Sequence, residues 1–254
     1  QFYAQTFLLK TCNIEPTQAN TWMGIGLLLG TPFFVVFGSL SDKIGRKIIM
    51  LAGMLIALLS YRYIFTQFYN YADTSKKTEI AAQTKTTVTK EADAKNTADT
   101  IQTTTINKVF ADGSTYVEVK KETFSDKSID APKPVVKKTI VLDKSYQWKI
   151  IGWIFVLVIF VTMVYGPIAA FLVELFPTQI RYTSMSLPYH IGNGVFGGLV
   201  PFIGTLIYEY SKTKENPAGN VLAGLWYPIV IAAICFIIGA LYLRNTKNKN
   251  ELTH

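Results

Sequence analysis

Apolar residues in this chain occur in long blocks rather than at the short spacing of an amphipathic helix or a half-buried strand. Five mostly apolar blocks cover residues 20–40, 48–66, 149–172, 183–208 and 221–243. A helix needs about 20 such residues to cross the hydrocarbon layer of a bilayer. No Asp or Glu lies inside any of the five blocks. The pattern therefore predicts an all-α integral membrane protein.

The composition of the chain and the residues at the ends of the blocks support this interpretation. Of the 254 residues, 50% are hydrophobic and only 17% are charged. Aromatic rings that suit the headgroup level lie near block ends, at Trp22, Trp148, Trp226, Tyr227 and Tyr242. The opening QFYAQTFLL, residues 1–9, is typical of the end of a further helix and lacks the basic start and small-residue cleavage site of a signal peptide. Cys12 falls in a loop and Cys235 inside a block, so we do not expect them to pair.

The net charge of +8 does not indicate a nucleic-acid partner, because the polar segment 67–147 holds 13 Lys and 11 acidic residues. The remaining basic groups lie mostly at block ends. If residues 38–47 face the cytoplasm, seven basic residues share that side and four lie opposite, which is the positive-inside bias. This orientation places the insert outside and the C-terminus in the cytoplasm, and the reverse orientation is the alternative. The seven are Lys43, Arg46, Lys47, Arg181, Arg244, Lys247 and Lys249; the four are Lys10, Lys149, Lys212 and Lys214.

The stretch GSLSDKIGRK joins the first two blocks and spaces two glycines, one acid and three basic residues: Gly38, Asp42, Lys43, Gly45, Arg46 and Lys47. Gly38 lets another helix approach closely, and Gly45 permits a tight turn between antiparallel helices. Asp42 can accept hydrogen bonds from basic residues or from a helix N-terminus. The basic residues hold the loop at an anionic leaflet. An ordinary positive-inside turn would need the basic charge but neither the acid nor the glycines.

This pattern resembles the signature loop of the major facilitator superfamily, which joins the second and third helices of each six-helix half. A second stretch, residues 165–207, resembles the fourth-to-fifth helix region of the C-terminal half in the metabolite:proton symporter branch. That branch includes carriers of proline and betaine, α-ketoglutarate, citrate and shikimate. The core of the stretch is ELFPTQIRYTS, in which Pro177 is expected to end one helix and Thr183 or Ser184 to cap the next.

The resemblance implies that cytoplasmic charges latch one face of the carrier shut. Glu174 and Arg181 flank the helix break, close enough to pair with each other or with the Asp42 loop. We therefore predict a gate formed by Asp42, Arg46, Glu174 and Arg181. A solvated loop without this role is the alternative.

The resemblance also assigns helices. Residues 1–9 would be the end of helix 7 and the five blocks helices 8 to 12, so the expected fold is the C-terminal six-helix half of a major facilitator. The expected domains are helices 7 to 9 in 1–66, an extracytoplasmic insert in 67–147, helices 10 to 12 in 148–246, and a cytoplasmic tail in 247–254. The N-terminal half would lie in a longer chain or a separate one, because half a carrier cannot alternate access.

Polar residues on the spans that line the cavity in the family are candidates for the substrate path. They are Gln1, Tyr3, Gln5, Trp22, Tyr165, Tyr189, His190 and Asn193. His190 is an ionisable group well inside such a span, where it would bind an anion or transfer a proton; a neutral histidine that bonds a neighbouring helix is the alternative. No span holds a carboxylate, so proton coupling rests on the resemblance, and its carboxylate is expected in the N-terminal half.

The insert changes character along its length. Up to about residue 100 it is polar and mixed in charge, which predicts a disordered or marginally helical linker. From residue 101, β-branched and aromatic residues flank Asp112 and Gly113, which predicts a β-hairpin. Residues 135–143 are a candidate third strand. A tethered surface loop is the favoured interpretation of the insert, and ligand capture is the alternative.

The expected function is secondary active transport of a small polar metabolite or osmolyte, coupled to protons, across the bacterial inner membrane. The expected partners are the bilayer, the substrate, protons and the N-terminal half. A membrane-anchored extracytoplasmic binding module and a truncated, non-transporting remnant are the alternatives. The sequence shows no metal-ligand cluster, no nucleophile–base pair and no phosphate-binding glycine loop, so neither an enzyme nor a cofactor is expected.

Overall fold

The computed structural model describes residues 2–92, 100–124, 134–217 and 219–243. Its α-helices are α1 Phe2–Thr6, α2 Pro16–Gly30, α3 Pro32–Ile44, α4 Arg46–Ala72, α5 Lys144–Leu175, α6 Arg181–His190, α7 Gly198–Tyr210 and α8 Trp226–Tyr242. The segments Phe7–Thr11 and Ile191–Gly197 are π-helical, and Thr74–Lys76, Ala81–Gln83 and Ala223–Leu225 are 3₁₀ turns.

The predicted membrane spans are confirmed within this part of the chain. Five helical segments are long and apolar enough to cross a membrane: Pro16–Ile44, Arg46–Ala72, Lys144–Leu175, Arg181–Tyr210 and Ala223–Tyr242. Each segment contains one of the five apolar blocks or most of it, and several extend beyond the block by a few polar residues. Helices can extend beyond the apolar blocks because polar residues at the end of a spanning helix lie near the membrane–water interface rather than in the hydrocarbon.

Breaks between helices follow local chemistry, with one exception. Gly45 ends α3 with φ 111°, a backbone conformation that glycine adopts without strain. The helix before Pro177 ends at Leu175, as predicted. The predicted cap at Thr183 or Ser184 is wrong, because α6 already begins at Arg181, after Ile180, with no side-chain cap. A backbone bond from Ile180 N to Pro177 O, 3.2 Å, closes that turn instead.

Helix α5 lies at the centre of the bundle and packs against α2, α3 and α4. Glycines let the backbones approach. A Cβ atom on Gly30 would lie 2.2 Å from Val158 Cγ1. A Cβ atom on Gly166 would lie 3.0 Å from the Phe34 carbonyl oxygen and 3.2 Å from Gly38 N. Gly38 therefore permits close helix contact, as predicted, and Gly166 of α5 is the partner.

The insert contains a four-stranded antiparallel sheet in the order β1 Lys85–Ala92, β2 Thr100–Val109, β3 Thr115–Phe124 and β4 Val135–Val141. The predicted hairpin at Asp112 and Gly113 and the predicted third strand are confirmed. The prediction of a disordered or helical linker is wrong for β1, which pairs with β2 along its whole length. Threonine and valine at 86–89 favour a strand once a partner strand supplies the backbone bonds.

The sheet is joined to the helices through backbone and side-chain bonds. Ile140 N donates to Asn13 O at 2.7 Å, and Glu15 N donates to Ile140 O at 2.9 Å, so the loop before α2 extends the sheet at β4. The side-chain amide of Gln18 donates to Leu142 O at 2.9 Å and accepts from Leu142 N at 3.0 Å. These paired bonds set the position of β4 on α2.

A charged contact joins the hairpin turn to α5. Lys77 Nζ donates to Asp112 Oδ2 at 2.7 Å and to Ser114 Oγ at 2.9 Å, and the lysine side chain is only 6% exposed. Tyr146 of α5 donates its hydroxyl to Asp112 Oδ2 at 3.1 Å. Burial acts to raise the pKa of Asp112, but hydrogen bonds from Lys77 and Ser114 outweigh it, and the net pKa lies below the ordinary value. Asp112 therefore stays ionised and bonded.

Replacing Asp112 by Asn is expected to loosen the sheet from the helices. Hydrogen bonds to a charged group contribute about 2 kcal/mol, so amides of β2 and β3 should exchange roughly 30-fold faster. Since the folded pKa of Asp112 lies below that of the unfolded chain, its contribution is present above pH of about 4 and is lost as the pH falls through the folded pKa. Hydrogen exchange with mass spectrometry, corrected for intrinsic rates, measures both effects.

Glu91→Gln is the matched control, because Glu91 is exposed on β1 and makes no ion pair with another described residue. It should leave exchange in β2 and β3 unchanged. Equal protection in the Asp112→Asn variant and the wild type would show that the contact does not hold the sheet.

Candidate functional site

The loop between α3 and α4 forms an ionic cluster with the end of α5. Arg46 Nη2 donates to Asp42 Oδ1 at 3.1 Å, across the break at Gly45, from the start of α4 to the end of α3. Arg46 Nη1 lies 2.8 Å from Glu174 Oε1, near the end of α5. The arginine side chain is 16% exposed, against 62% for Asp42 and 42% for Glu174. One guanidinium therefore connects two carboxylates from different parts of the chain.

The two contacts of Arg46 differ in kind. The bond to Asp42 has hydrogen-bond geometry. Nη1 is buried and close to Glu174, yet no acceptor lies in line with its N–H groups. The contact with Glu174 is thus an ion pair without an aligned hydrogen bond. Such a contact is weaker than a bidentate arginine–carboxylate pair and is easier to break.

Lys47 connects the same loop to the last helix. Its Nζ donates to Ala240 O at 2.9 Å and to Leu243 O at 2.6 Å, at the C-terminal end of α8. The final carbonyls of a helix lack intrahelical partners and carry partial negative charge, so a lysine is well placed there. The Arg46 and Lys47 side chains together tie the start of α4 to α5 and to α8.

Two other predicted loop residues lie outside this cluster. Arg181 Nε donates to Phe176 O at 3.2 Å, and no ion pair joins Arg181 to Glu174 in the part of the chain that the structure describes. Lys43 is exposed and, within the described residues, makes no ion pair. Three of the four predicted gate residues therefore meet, and Arg181 closes the turn before α6 instead.

Four of the predicted substrate-path residues line a cavity of about 560 Å³ between the helices: Tyr3, Tyr165, Tyr189 and Asn193. The Tyr165 hydroxyl donates to Asn193 Oδ1, which joins α5 to the π-helical segment. The rest of the wall is mainly apolar and aromatic. Phe34 of α3, which is apolar, and Tyr61 and Phe65 of α4, a helix without a predicted path residue, also contribute to it.

The other predicted path residues lie elsewhere. The Gln5 side chain donates to Asn20 Oδ1 at 2.8 Å. Trp22 is buried in the core. His190 is exposed beside the Tyr189 ring, with 6.1 Å between the ring centroids, and does not line the cavity. Gln1 lies outside the described residues.

The polar groups of this mainly apolar lining are uncharged over the described residues: they are tyrosine hydroxyls and one amide, and the lining has no Asp, Glu, Lys or Arg. Likewise, no group of three His, Cys, Asp or Glu side chains lies where it could hold a metal ion in the ranges that the structure describes. Such a wall can donate and accept hydrogen bonds and can cover apolar parts of a small molecule.

A stretch of 78 residues is 35% identical to a citrate-proton symporter of Klebsiella pneumoniae and covers 31% of this chain. Stretches of 87 and 86 residues are 37% and 34% identical to two proteins of Haemophilus influenzae, each named "Putative metabolite transport protein". This chain is a relative of metabolite transporters. These names agree with the resemblance to the metabolite:proton symporter branch that the two sequence stretches carry.

The matched stretches span 16%, 17% and 18% of the lengths of these three relatives. No family model matches the chain, and no solved structure matches it at a comparable level of significance. The printed names of all three relatives are those of transporters. Together with the five apolar spans, they identify a multi-pass membrane protein.

Proposed function

We propose that this chain is the C-terminal half of a secondary active transporter that moves a small polar metabolite or osmolyte by alternating access, coupled to protons. An organic acid, an amino acid or a betaine-like molecule is the substrate class. The observation that supports the proposal most strongly is the Arg46 cluster. Its ionic contacts, which can break and re-form, join α3, α4 and α5 at one end of the bundle. A membrane anchor needs no such cluster.

In this proposal residues 1–9 are the end of helix 7, and the five spans are helices 8 to 12. An N-terminal half, in the same polypeptide or a second one, completes the carrier in the bacterial inner membrane. The sheet lies on the extracytoplasmic side, and the Arg46 cluster and the C-terminus lie in the cytoplasm, as the positive-inside bias favours.

The proposed mechanism assigns the Arg46 cluster to the closed state of the cytoplasmic face. While Arg46 faces Asp42 and Glu174, the end of α5 stays beside the α3–α4 turn. Separation of Arg46 from Glu174 frees the end of α5 beyond Gly166 to move away, and the unaligned ion pair keeps the cost of this step low. Lys47 keeps α8 attached to the start of α4 throughout.

The cavity residues have a matching role. Tyrosine hydroxyls and the Asn193 amide offer hydrogen bonds to carboxylate or hydroxyl groups of a substrate, and the aromatic wall covers its carbon skeleton. The described lining has no carboxylate, so a carboxylate of the N-terminal half carries the coupled proton in this proposal. In this proposal His190 supports the Tyr189 ring, beside which it lies.

Uptake of labelled citrate, driven by an imposed inward proton gradient in cells that express the carrier containing this chain, tests the proposal. Tyr165→Phe is expected to raise KM about fivefold, because one neutral hydrogen bond contributes about 1 kcal/mol. The substitution removes the hydroxyl that binds Asn193 and keeps the ring in the cavity wall.

Tyr182→Phe is the matched control, since Tyr182 is exposed and lies outside the cavity. It should leave KM unchanged. Absence of gradient-driven uptake for citrate, amino acids and betaine alike would refute transport. Equal KM values in the two variants would remove Tyr165 from the substrate path.

A further inference from the structure

A second cavity of about 430 Å³ lies where the sheet meets the helices. Four separate parts of the chain form its wall: the end of the π-helical segment Phe7–Thr11, the end of α4, the sheet, and the region after α7. Its volume is in the range of small-molecule sites. Unlike the inner cavity, it has charged groups in its wall.

The second cavity lies further along the same helices than the inner cavity, toward the C-terminal end of α4 and the sheet. Tyr61 and Phe65 of α4 line the inner cavity, and Tyr69 and Asp73 line the second one. A spacing of four residues places these positions on one face of the helix, successively further along it. Phe7, Phe65 and Phe68 lie between the two, with centroid distances of 5.0 Å for Phe7–Phe65 and 5.7 Å for Phe65–Phe68. Phe7 and Phe68 are fully buried, so these packed rings separate the two cavities.

Three lysines from three distant segments meet in the wall of the second cavity: Lys10, Lys138 and Lys212. Lys212 lies 2.7 Å from Glu209 and over the Tyr208 ring. Lys10 and Lys138 are exposed, and neither has an ion-pair partner among the described residues. Two positive charges are thus available in this cavity.

One carboxylate also lines the wall, at Asp73. It accepts hydrogen bonds from Ser75 N at 3.0 Å and Ser75 Oγ at 2.6 Å, and Lys76 Nζ lies 3.6 Å away. Its charge is therefore balanced locally by Lys76, and the field that a solute meets is positive.

We infer that this second cavity is an anion-binding vestibule for a small organic polycarboxylate, with Lys10 and Lys138 as its charged ligands. The choice of an organic anion rests on the proposed transport function. Strand β4 supplies Lys138, so the insert has a role here: it completes a binding site. A polycarboxylate fits better than a single carboxylate, because two free ammonium groups from separate segments can each face one carboxylate group.

Labelled citrate is the probe, in equilibrium binding to the purified chain in nanodiscs of neutral phosphatidylcholine at low ionic strength. Lys138→Gln and, separately, Lys10→Gln are each expected to raise Kd about fivefold, the effect of removing one exposed charge near the anion. Adding 150 mM NaCl should weaken binding to the wild type more than to either variant, because salt screens exposed charges.

Lys137→Gln is the matched control. Lys137 is the next residue of β4, equally exposed, and its side chain lies on the opposite face of the sheet. Its Kd should stay within a factor of about 1.5 of the wild type. Equal effects of Lys137→Gln and Lys138→Gln, or no effect of either Lys138→Gln or Lys10→Gln, would overturn the inference.

Binding is measured without transport, so the two proposals fail separately. Lysine-dependent citrate binding by a chain whose carrier takes up no metabolite would refute the transport function and leave the anion site intact. Uptake of citrate by a carrier whose Lys10 and Lys138 variants bind citrate like the wild type would refute the anion site and leave the transport function intact.

Discussion

In the proposed carrier, replacing Arg46 by Glu is expected to lower metabolite uptake, measured with citrate, about tenfold and to shift the protein toward cytoplasm-open conformations. The substitution removes both contacts of the guanidinium and places a third carboxylate beside Asp42 and Glu174. Exposed ion pairs contribute up to about 1 kcal/mol each, and reversal adds repulsion, so the closed state loses about 1 to 2 kcal/mol. A change of 1.4 kcal/mol corresponds to a factor of 10 in the equilibrium.

Lys43→Glu is the matched control for this experiment. It makes the same change in net charge three residues away in the same loop, at an exposed position without an ion pair among the described residues. Uptake should fall much less in this variant. Cysteine accessibility from the cytoplasmic side measures the conformational shift independently of uptake.

A charge swap tests the pairing itself. Arg46→Glu combined with Glu174→Arg restores an opposite-charge contact between α4 and α5 and is expected to recover part of the lost uptake. If the double variant is no better than Arg46→Glu, or if Lys43→Glu is equally inactive, the Arg46–Glu174 contact is not the latch.

Replacing Gly166 by Leu is expected to destabilise the helix bundle by about 2 to 3 kcal/mol, because it overpacks a site where backbones touch. A Cβ atom there would lie 3.0 Å from the Phe34 carbonyl oxygen and 3.2 Å from Gly38 N. Both are backbone atoms, which cannot rotate away as a side-chain end can. The midpoint of thermal unfolding in detergent should fall by roughly 5 to 10 °C.

Gly152→Leu is the matched control on the same helix, since a Cβ atom on Gly152 meets no atom within 4 Å. Both substitutions gain the same helix propensity from the loss of glycine. The control should therefore keep or slightly raise the midpoint. A Gly166→Leu variant as stable as the control would show that α3 and α5 do not cross closely at this point.

Several local features were readable from the sequence because their causes lie within a few residues. The turn at Gly45, the helix end before Pro177 and the hairpin at Asp112 and Gly113 each depend on backbone preferences of one or two residues. Strand β1 was missed because its Thr-rich, charged sequence has no apolar face, and its order comes from pairing with β2.

The candidate site was readable only in part. Asp42, Arg46 and Glu174 were predicted to meet, and they do, whereas Arg181 was placed with them and binds Phe176 O instead. Nothing near Lys47 in the sequence signals its bonds to α8, because Ala240 lies 193 residues away.

The sequence by itself determined that five segments are apolar and long enough to cross a bilayer, and that helices end at Gly45 and before Pro177. Transfer of about 20 apolar residues into hydrocarbon is a sum over one continuous segment, so no partner is required to read it. Only the tertiary structure decided that Glu174 faces Arg46 and that Gly166 packs against Gly38. It also decided that β4 brings Lys138 into a cavity with Lys10. These contacts depend on how distant helices and strands cross, and the crossing is set by packing over the whole bundle rather than by any local pattern.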